Sequence, residues 1–513
     1  MTGTPVSIGL DIGTSGTKGV LLAAWGAVLA RAEAGYPLLT PRPGWTEQDP
    51  EAWWQAAVAV LAELARRAEG HEVAGIGLSG QMHGSVFLDR DGAPIRPALL
   101  WNDARTHAEC AEIERRLGRE RLIAITGNRA STGFQAPKLL WLRRHEPEAA
   151  ARVAKLLLPK DFIRLRLTGT HATDAADASG TLFLDLARRR YSEEVLAALE
   201  VAPDLLPSVH ESPEITGRVT AAAASATGLA AGTPVVAGGG DNACAAIGAG
   251  LIEEGHGVCS IGTSGTLFVH SMTPRIDPEG ALNAFCDAVP GGYHLMGVIL
   301  SAGGALGWFR DKVMPAEADL LAANGIDPFK VLLDEAARVP AGADGLLFLP
   351  YLAGERSPHL DPHARGAWVG LSLAHERRHL VRALLEGVGF ALTDCLDRMR
   401  ALGIEPPRIL LTGGGARGEL WRSILAAQLR VPLATGSAAD GPALGAAILA
   451  QVGSGVATSL ADGVAAAVPP AGVTTTVDPA LAAIYRAAHG RHRALYPALR
   501  EAGAFAPDHA AAG

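Results

Sequence analysis

The hexapeptide Ile12-Gly13-Thr14-Ser15-Gly16-Thr17 recurs unchanged as Ile261-Gly262-Thr263-Ser264-Gly265-Thr266, 261 minus 12 or 249 residues further along a chain of 513. No other feature restricts the fold as strongly, because a repeat offset by nearly half the length implies one design used twice. Each copy follows a β-like run, Val6 to Leu10 or Gly257 to Ser260, and leads into another, Val20 to Leu22 or Leu267 to Val269. Both therefore read as strand, tight glycine turn, strand. Chance is a poor account of six identical residues in matching strand contexts, and two such loops facing each other across a cleft can hold one ligand from both sides.

The loop chemistry suits phosphate. Two glycines let the backbone turn its N–H groups outward, and Thr and Ser hydroxyls add donors. A Walker A loop is excluded, because Lys18 stands where that pattern needs its second glycine. Thr14, Ser15 and Thr263 become candidate phosphate contacts, with Lys18 as an additional cation. Asp11 directly before the first loop is too acidic to face phosphate unaided, so it is expected to act through Mg²⁺ and its waters.

Periodicity supports an α/β chain in both halves. Val73 to Leu78, Pro234 to Gly238, Leu346 to Leu349 and Arg408 to Leu411 read as buried strands; Glu51 to Ala68, Leu380 to Ala391 and Glu419 to Leu429 read as helices. The best boundary lies near residues 246 to 256, which gives an N-terminal domain over 1–247, a C-terminal domain over 248–500 and a frayed tail over 501–513. A net charge of −8 argues against a nucleic-acid partner, and no apolar stretch is long enough to span a membrane. Five scattered cysteines without a CxxC pair, and no basic residue ahead of an apolar N-terminal run, point to reduced thiols in a cytoplasmic enzyme.

Five motifs stand at the ends of these elements. Gly238-Gly239-Gly240-Asp241-Asn242 precedes a small-residue helix, whose N-terminus is expected to hold Asp241 ionised as a base for a hydroxyl proton. A plain N-cap is the bland alternative, but a cap does not need the glycine run or the neighbouring Asn242 amide. Ser79-Gly80-Gln81-Met82-His83-Gly84 closes a strand where open α/β sheets bind ligands. Trp101-Asn102-Asp103-Ala104-Arg105 combines an aromatic face with hydrogen-bonding groups that suit a sugar. Gly413 to Gly418 matches GxGxxG, but a dinucleotide site expects that motif to open a βαβ unit, and here it lies deep in the second half. A glycine turn passing close to an adenosine is equally served. His375-Glu376-Arg377-Arg378-His379 is a literal HExxH whose two arginines repel a dication, and it reads as the solvated first turn of a helix.

Together these segments resemble the FGGY carbohydrate kinases, and within them the branch that acts on D-xylulose. The resemblance runs from Ile8 to Ala447. Gly366 to Glu386 is similar to the family's C-terminal signature and Gly133 to Trp141 to its N-terminal one, with Gln135 a departure from the usual Ser, Thr or Pro. Gly80 to Gly84, Trp101 to Arg105, Leu158 to Gly169 and Gly354 to His359 resemble the xylulose branch, the substrate assignment resting mainly on Met82 and His83.

The resemblance implies two duplicated actin-like (ribonuclease H-like) ATPase domains hinged over a central cleft. ATP would phosphorylate the ketose at its 5-hydroxyl with Mg²⁺ present. Asp241 matches the general base; Met82, His83 and Asn242 match sugar contacts, joined by Trp101 and Asp103; and Asp11 matches the acidic residue associated with Mg²⁺, which Asp11 and Asp241 would hold through water. Gly303, Gly415, Ala416 and Glu419 fall where relatives line the adenosine pocket, although Glu419 replaces a usual Asn. The resemblance allows a homodimer. Rival readings are another sugar or polyol kinase of the family, an actin-like ATPase without a sugar, and a nicotinamide oxidoreductase.

Overall fold

The computed structural model describes residues 3–436 and 440–505. Two seven-stranded sheets organise the chain. The first contains β1 (Thr4–Ile12), β2 (Gly16–Ala23), β3 (Val28–Gly35), β4 (His71–Gly80), β5 (Ile215–Arg218) and β6 (Pro234–Val236), with Gly239–Gly240 as a short seventh strand. The second contains β7 (Gly257–Ile261), β8 (Gly265–Ser271), β9 (Asn283–Cys286), β10 (Tyr293–Ile299), β11 (Ile409–Gly413), β12 (Leu433–Thr435) and β13 (Thr474–Thr475).

Their pairings repeat. β1 runs antiparallel to β2 and parallel to β4, as β7 does to β8 and β11. β4 then runs parallel to β6 as β11 does to β12, and β2 antiparallel to β3 as β8 does to β10. This is the duplication expected from the repeat, in the actin-like, ribonuclease H-like arrangement that the resemblance implies. The central strands are covered on both faces and read as nearly continuous apolar runs: Val6, Ile8, Leu10 and Ile12 are buried, and so is Ser7 between them.

The repeat is not carried down to the hydrogen bonds. Ile12 faces Thr17 across the first turn, whereas Ile261 faces Gly265 across the second. Accordingly the Gly13 N–H donates to Gly16 O at 3.1 Å, but the Gly262 N–H donates to Ser264 O at 3.0 Å. One sequence closes two different turns because the neighbours differ. The first loop receives the Tyr36 hydroxyl on Gly13 O and the Gln48 amide on Thr14 O, while the Thr263 carbonyl of the second receives the Ala302 and Gly304 N–H groups.

Helices cover both sheets. α1 (Pro50–Arg67) begins at Asp49, whose side chain accepts the Glu51 N–H, and buries Trp53, Ala57, Val60, Leu61 and Leu64 at helical spacing. Further helices that bear on the site and on the packing of the halves are α2 (Asp241–Gly248), α3 (Arg377–Ala401), α4 (Glu419–Leu429), α5 (Gly441–Gly453) and α6 (Pro479–Glu501).

Two of them cross between the halves. α2, at the end of the first half, buries Ala246 in a cluster with Phe268, Leu410 and Ala434 of the second sheet. α5, from the second half, lies on β1 and β4 of the first. The crossing is backbone-tight: a Cβ on Gly9 would stand 1.8 Å from Ala443 O, and one on Gly445 would stand 1.9 Å from Cys244 O. Only glycine fits either place. The division at 247/248 thus falls at the end of α2, but packing does not follow chain order.

α6 continues to Glu501, and Phe505 is buried with its ring 5.9 Å from that of Tyr496. Residues 506–513 of the expected tail lie outside the described residues. Among the described residues no helix is long and apolar enough to cross a membrane.

Candidate active site

Two carboxylates are brought together at the ends of the central strands of the first sheet. Parallel pairing of β1 with β4 sets Asp11 beside Ser79, whose hydroxyl donates to Asp11 Oδ1 at 3.1 Å. Burial pushes Asp11 up to about 6, with Ser79 and the Lys18 charge opposing the shift. Gly239–Gly240 pairs with Ser79–Gly80 and delivers Asp241 as the first residue of α2, with Gly240 in the cap position. Asp241 is therefore not merely a cap. Its Oδ1 accepts the Asn242 N–H at 2.7 Å and the Asn242 side-chain amide at 3.1 Å.

The expectation that the helix terminus keeps Asp241 ionised is not met. Burial, and then the charge of Asp11, push its carboxyl up to about 7, outweighing the Asn242 N–H. Two hard oxygen donors with surplus negative charge fit a divalent cation held largely through water and substrate oxygens. Among the described residues no group of three or more His, Cys, Asp or Glu forms an all-protein cage.

A cavity of about 620 Å³ lies between the halves, lined by Met82, His83, Trp101, Asp241 and Asn242 from the first and by Ser264, Thr266 and Arg356 among others from the second, with Asp11 set behind Asp241 and not itself in the lining. His83 takes a positive φ of 67° in the turn after β4. Buried groups hold that turn. Lys138 Nζ donates to His83 O at 2.9 Å and Gly133 O at 2.6 Å, and Gln135 Nε2 donates to Gly84 O at 2.7 Å. Gln135, a departure from the family signature, thus has a structural task. Burial lowers the Lys138 ammonium to about 7.

His83 Nδ1 lies 2.7 Å from Gly180 O, and because a carbonyl can only accept, that nitrogen carries the proton. Burial pushes the ring down to about 3, so it is neutral and Nε2 is left as an acceptor for a ligand hydroxyl. Met82 is buried, its sulfur 3.7 Å from the Asn242 amide nitrogen. Trp101 is 46% exposed and donates its indole N–H to Thr14 Oγ1 at 3.1 Å.

Asp103 requires a correction. It is fully buried and does not line the cavity. Its Oδ2 accepts the Thr46 N–H at 2.7 Å, and its Oδ1 accepts both the Arg105 N–H at 3.0 Å and Arg105 Nε at 2.9 Å. Its acceptors are used up in bracing the loop behind Trp101.

A second cavity of about 990 Å³ lies in the second half, lined in part by Gly262, Thr263, Gly303, Gly415 and Glu419. Ala416 departs from expectation by packing toward the core of the second half. Thr14, Ser15 and Lys18 do not line this cavity either: Ser15 is exposed at the tip of the first turn, and Lys18 stands exposed on β2 opposite Asp11. Contrary to the objection raised from sequence, Gly413–Gly418 does open a βαβ unit, β11–α4–β12. Its pocket is nevertheless shared with the second hexapeptide.

That hexapeptide stands between the cavities. Gly262 and Thr263 line the larger, and Ser264 and Thr266 line the smaller. No other loop singled out from the sequence supplies residues to both.

The HExxH string is a helix start. Glu376 caps α3 and its N–H donates to His379 Nδ1 at 2.9 Å, while His375 precedes the helix. His379 is buried, which corrects the expectation of a solvated turn. Sequence reasoning also quoted Gly354 to His359 without assigning it a task. Its Glu355 and Arg356 both line the sugar-sized cavity.

Residues 6–248 match the N-terminal domain of the FGGY family of carbohydrate kinases, and residues 257–454 match its C-terminal domain. The chain is 43% identical over 454 residues to a xylulose kinase of Escherichia coli strain K12, covering 88% of this chain and 91% of that one. It is 39% identical over 455 residues to a xylulose kinase of Bacillus subtilis strain 168, covering 88% and 89%. Among solved structures it is similar to a xylulose kinase from Brucella ovis, with a TM-score of 0.89, 39% identity and 97% and 99% of the two chains covered. A gluconokinase of Bacillus subtilis strain 168 is 32% identical over 460 residues, or 88% of each chain.

Proposed function

The chain belongs to the FGGY family of carbohydrate kinases, and from that membership we propose that it phosphorylates D-xylulose at the 5-hydroxyl with ATP. The observation that carries this reading is the second hexapeptide, which contributes to a nucleotide-sized cavity on one side and to the cavity holding Asp241 and His83 on the other. Phosphoryl transfer asks a protein for positioning and charge neutralisation more than for covalent chemistry.

Asp241 accepts the proton of the attacking hydroxyl, a task for which a carboxyl near 7 is suited at neutral pH. His83 Nε2 and the Asn242 amide orient the sugar, and Trp101 covers an apolar face of it. Thr263 and Gly303 flank the phosphates, and Gly415 and Glu419 flank the adenosine. When bound, Mg²⁺ supplies positive charge to the phosphate oxygens, and Asp11 and Asp241 are the residues that would hold it through water. Approach of the two halves excludes water and limits ATP hydrolysis.

The division of the chain at 247/248, a cytoplasmic location and a homodimer complete the proposal. The five cysteines, all free, are in keeping with a reducing compartment.

The test is ADP release across D-xylulose, D-ribulose, glycerol and D-gluconate. D-Xylulose should give the highest kcat/KM. A higher value for any other substrate overturns the assignment, and sugar-independent ATPase activity favours the actin-like rival.

A further inference from the structure

Arg356 lines the sugar cavity from the second half and has no carboxylate within ion-pair distance among the described residues. The guanidinium hydrogen-bonds to one side chain, with Nη2 donating to Asn283 Oδ1 at 3.1 Å. Asn283 is itself anchored, donating to Asn128 Oδ1 at 2.8 Å across the two halves. The adjacent Glu355 offers no counter-charge. Its Oε1 accepts the Leu300 and Arg356 N–H groups, its Oε2 has no partner, and burial raises it to about 8, so that it is protonated at neutral pH.

The backbone beneath is rigid. The Ser357 N–H donates to Val298 O at 2.9 Å, the Ser357 hydroxyl donates to Ala281 O at 2.7 Å, and the Val298 N–H donates to Ser357 Oγ at 3.2 Å, fixing the segment to β10. A guanidinium is a planar fork of five donors, and one that opens on the cavity with a single side-chain acceptor presents its remaining donors to the oxygens of a ligand.

The placement is legible from β9. Asn283, which accepts from Arg356, shares a face of that strand with Phe285, whose ring lies 5.9 Å from that of His83. The fork therefore lies toward the end of the cavity where His83 stands.

Resting on the kinase reading above, we propose that Arg356 is a substrate-contact residue through which the second half grips two adjacent oxygens at the sugar end remote from Asp241. Because the fork is cationic and unpaired, the same place also takes the carboxylate of an open-chain aldonic acid. In a ketose the paired oxygens are the carbonyl and its neighbouring hydroxyl; in an aldonate they are the two carboxylate oxygens, a better match for a bidentate fork.

The test is calorimetric binding of D-xylulose and of D-xylonate to the full chain without nucleotide, for wild type, R356Q and R356K, together with steady-state kinetics. D-Xylonate should bind the wild type and inhibit competitively against D-xylulose. R356Q should weaken D-xylulose by about 10- to 100-fold and D-xylonate by more, with KM for ATP unchanged. R356K keeps the charge but loses the fork, so it should retain part of the D-xylonate affinity while losing D-xylulose affinity, and it serves as the readable variant if R356Q does not fold. Unchanged binding of both ligands in either variant, or no D-xylonate binding by the wild type, overturns the proposal. Failure of the wild type to phosphorylate D-xylulose would instead refute the substrate assignment, leaving loss of D-xylonate binding in R356Q as an independent readout of the fork.

Discussion

Replacing Asp241 by Asn should make the free protein more stable in a pH-dependent way while nearly abolishing turnover. A carboxyl raised from 3.8 to about 7 is disfavoured in its ionised form by about 4 kcal/mol, at 1.36 kcal/mol for each pH unit. Asp241 opens on the water of the cavity, so screening reduces the effective penalty to about 1–2 kcal/mol. The sign follows from the raised value. The folded protein binds the proton more tightly than the unfolded chain, so this carboxyl's contribution is most favourable below about pH 4 and is lost as pH rises to about 7. Asn preserves the acceptor for the Asn242 N–H but has no charge to bury. Urea unfolding followed by tryptophan fluorescence, without nucleotide, sugar or Mg²⁺, should show the variant's advantage over wild type widening by about 1–2 kcal/mol between pH 4 and pH 8. Turnover should fall by about 10²- to 10⁴-fold, with D-xylulose still bound. A stability difference independent of pH, or one that shrinks as pH rises, would refute the electrostatic account; near-normal turnover would remove Asp241 from its role as base.

Three further outcomes follow from the same geometry. The kcat/KM for D-xylulose should rise with pH through an apparent value near 7, and D11N should move that midpoint down by about one pH unit, because Asp11 is a cause of the shift; an unmoved midpoint among residual-activity profiles counts against the coupling. K138M removes the donor to His83 O and Gly133 O, so KM for D-xylulose should rise about tenfold with KM for ATP unchanged, and equal effects on both substrates would indicate general loosening. G445A puts a Cβ against Cys244 O, so it should cost about 1–3 kcal/mol in urea unfolding and lower kcat; wild-type stability would mean that the helix crossing yields freely.

Much of the design was legible because backbone chemistry writes itself plainly. The repeated hexapeptide and its flanking apolar runs specify two hairpins, and the glycines before Asp241 specify a turn ending in a carboxyl at a helix start. Charge balance was less legible. Asp103 looks like a ligand until Arg105, two residues away, and the Thr46 N–H are seen to occupy it. The ionisation of Asp241 depends on Asp11, which is distant in the chain and becomes a neighbour only through β4. Arg356 carried no local sign of its proposed task, because what marks it is the absence of a carboxylate partner among the described residues, and partners are a property of the folded chain. The two hexapeptides were read as equivalent, but Tyr36 and Gln48 hold the carbonyls of one while the Ala302 and Gly304 N–H groups hold a carbonyl of the other.

The crossing of α2 and α5 also sets an order of events during synthesis. The face of β1 and β4 that bears Gly9 and Gly77 is covered by α5, whose residues 441–453 leave the ribosome long after those strands. An emerging first half therefore presents an uncovered apolar sheet face for most of translation, a state prone to misassembly. Completion of the earliest sheet waits on one of the last helices to be made, so a nascent chain released before residue 441 leaves both halves unfinished.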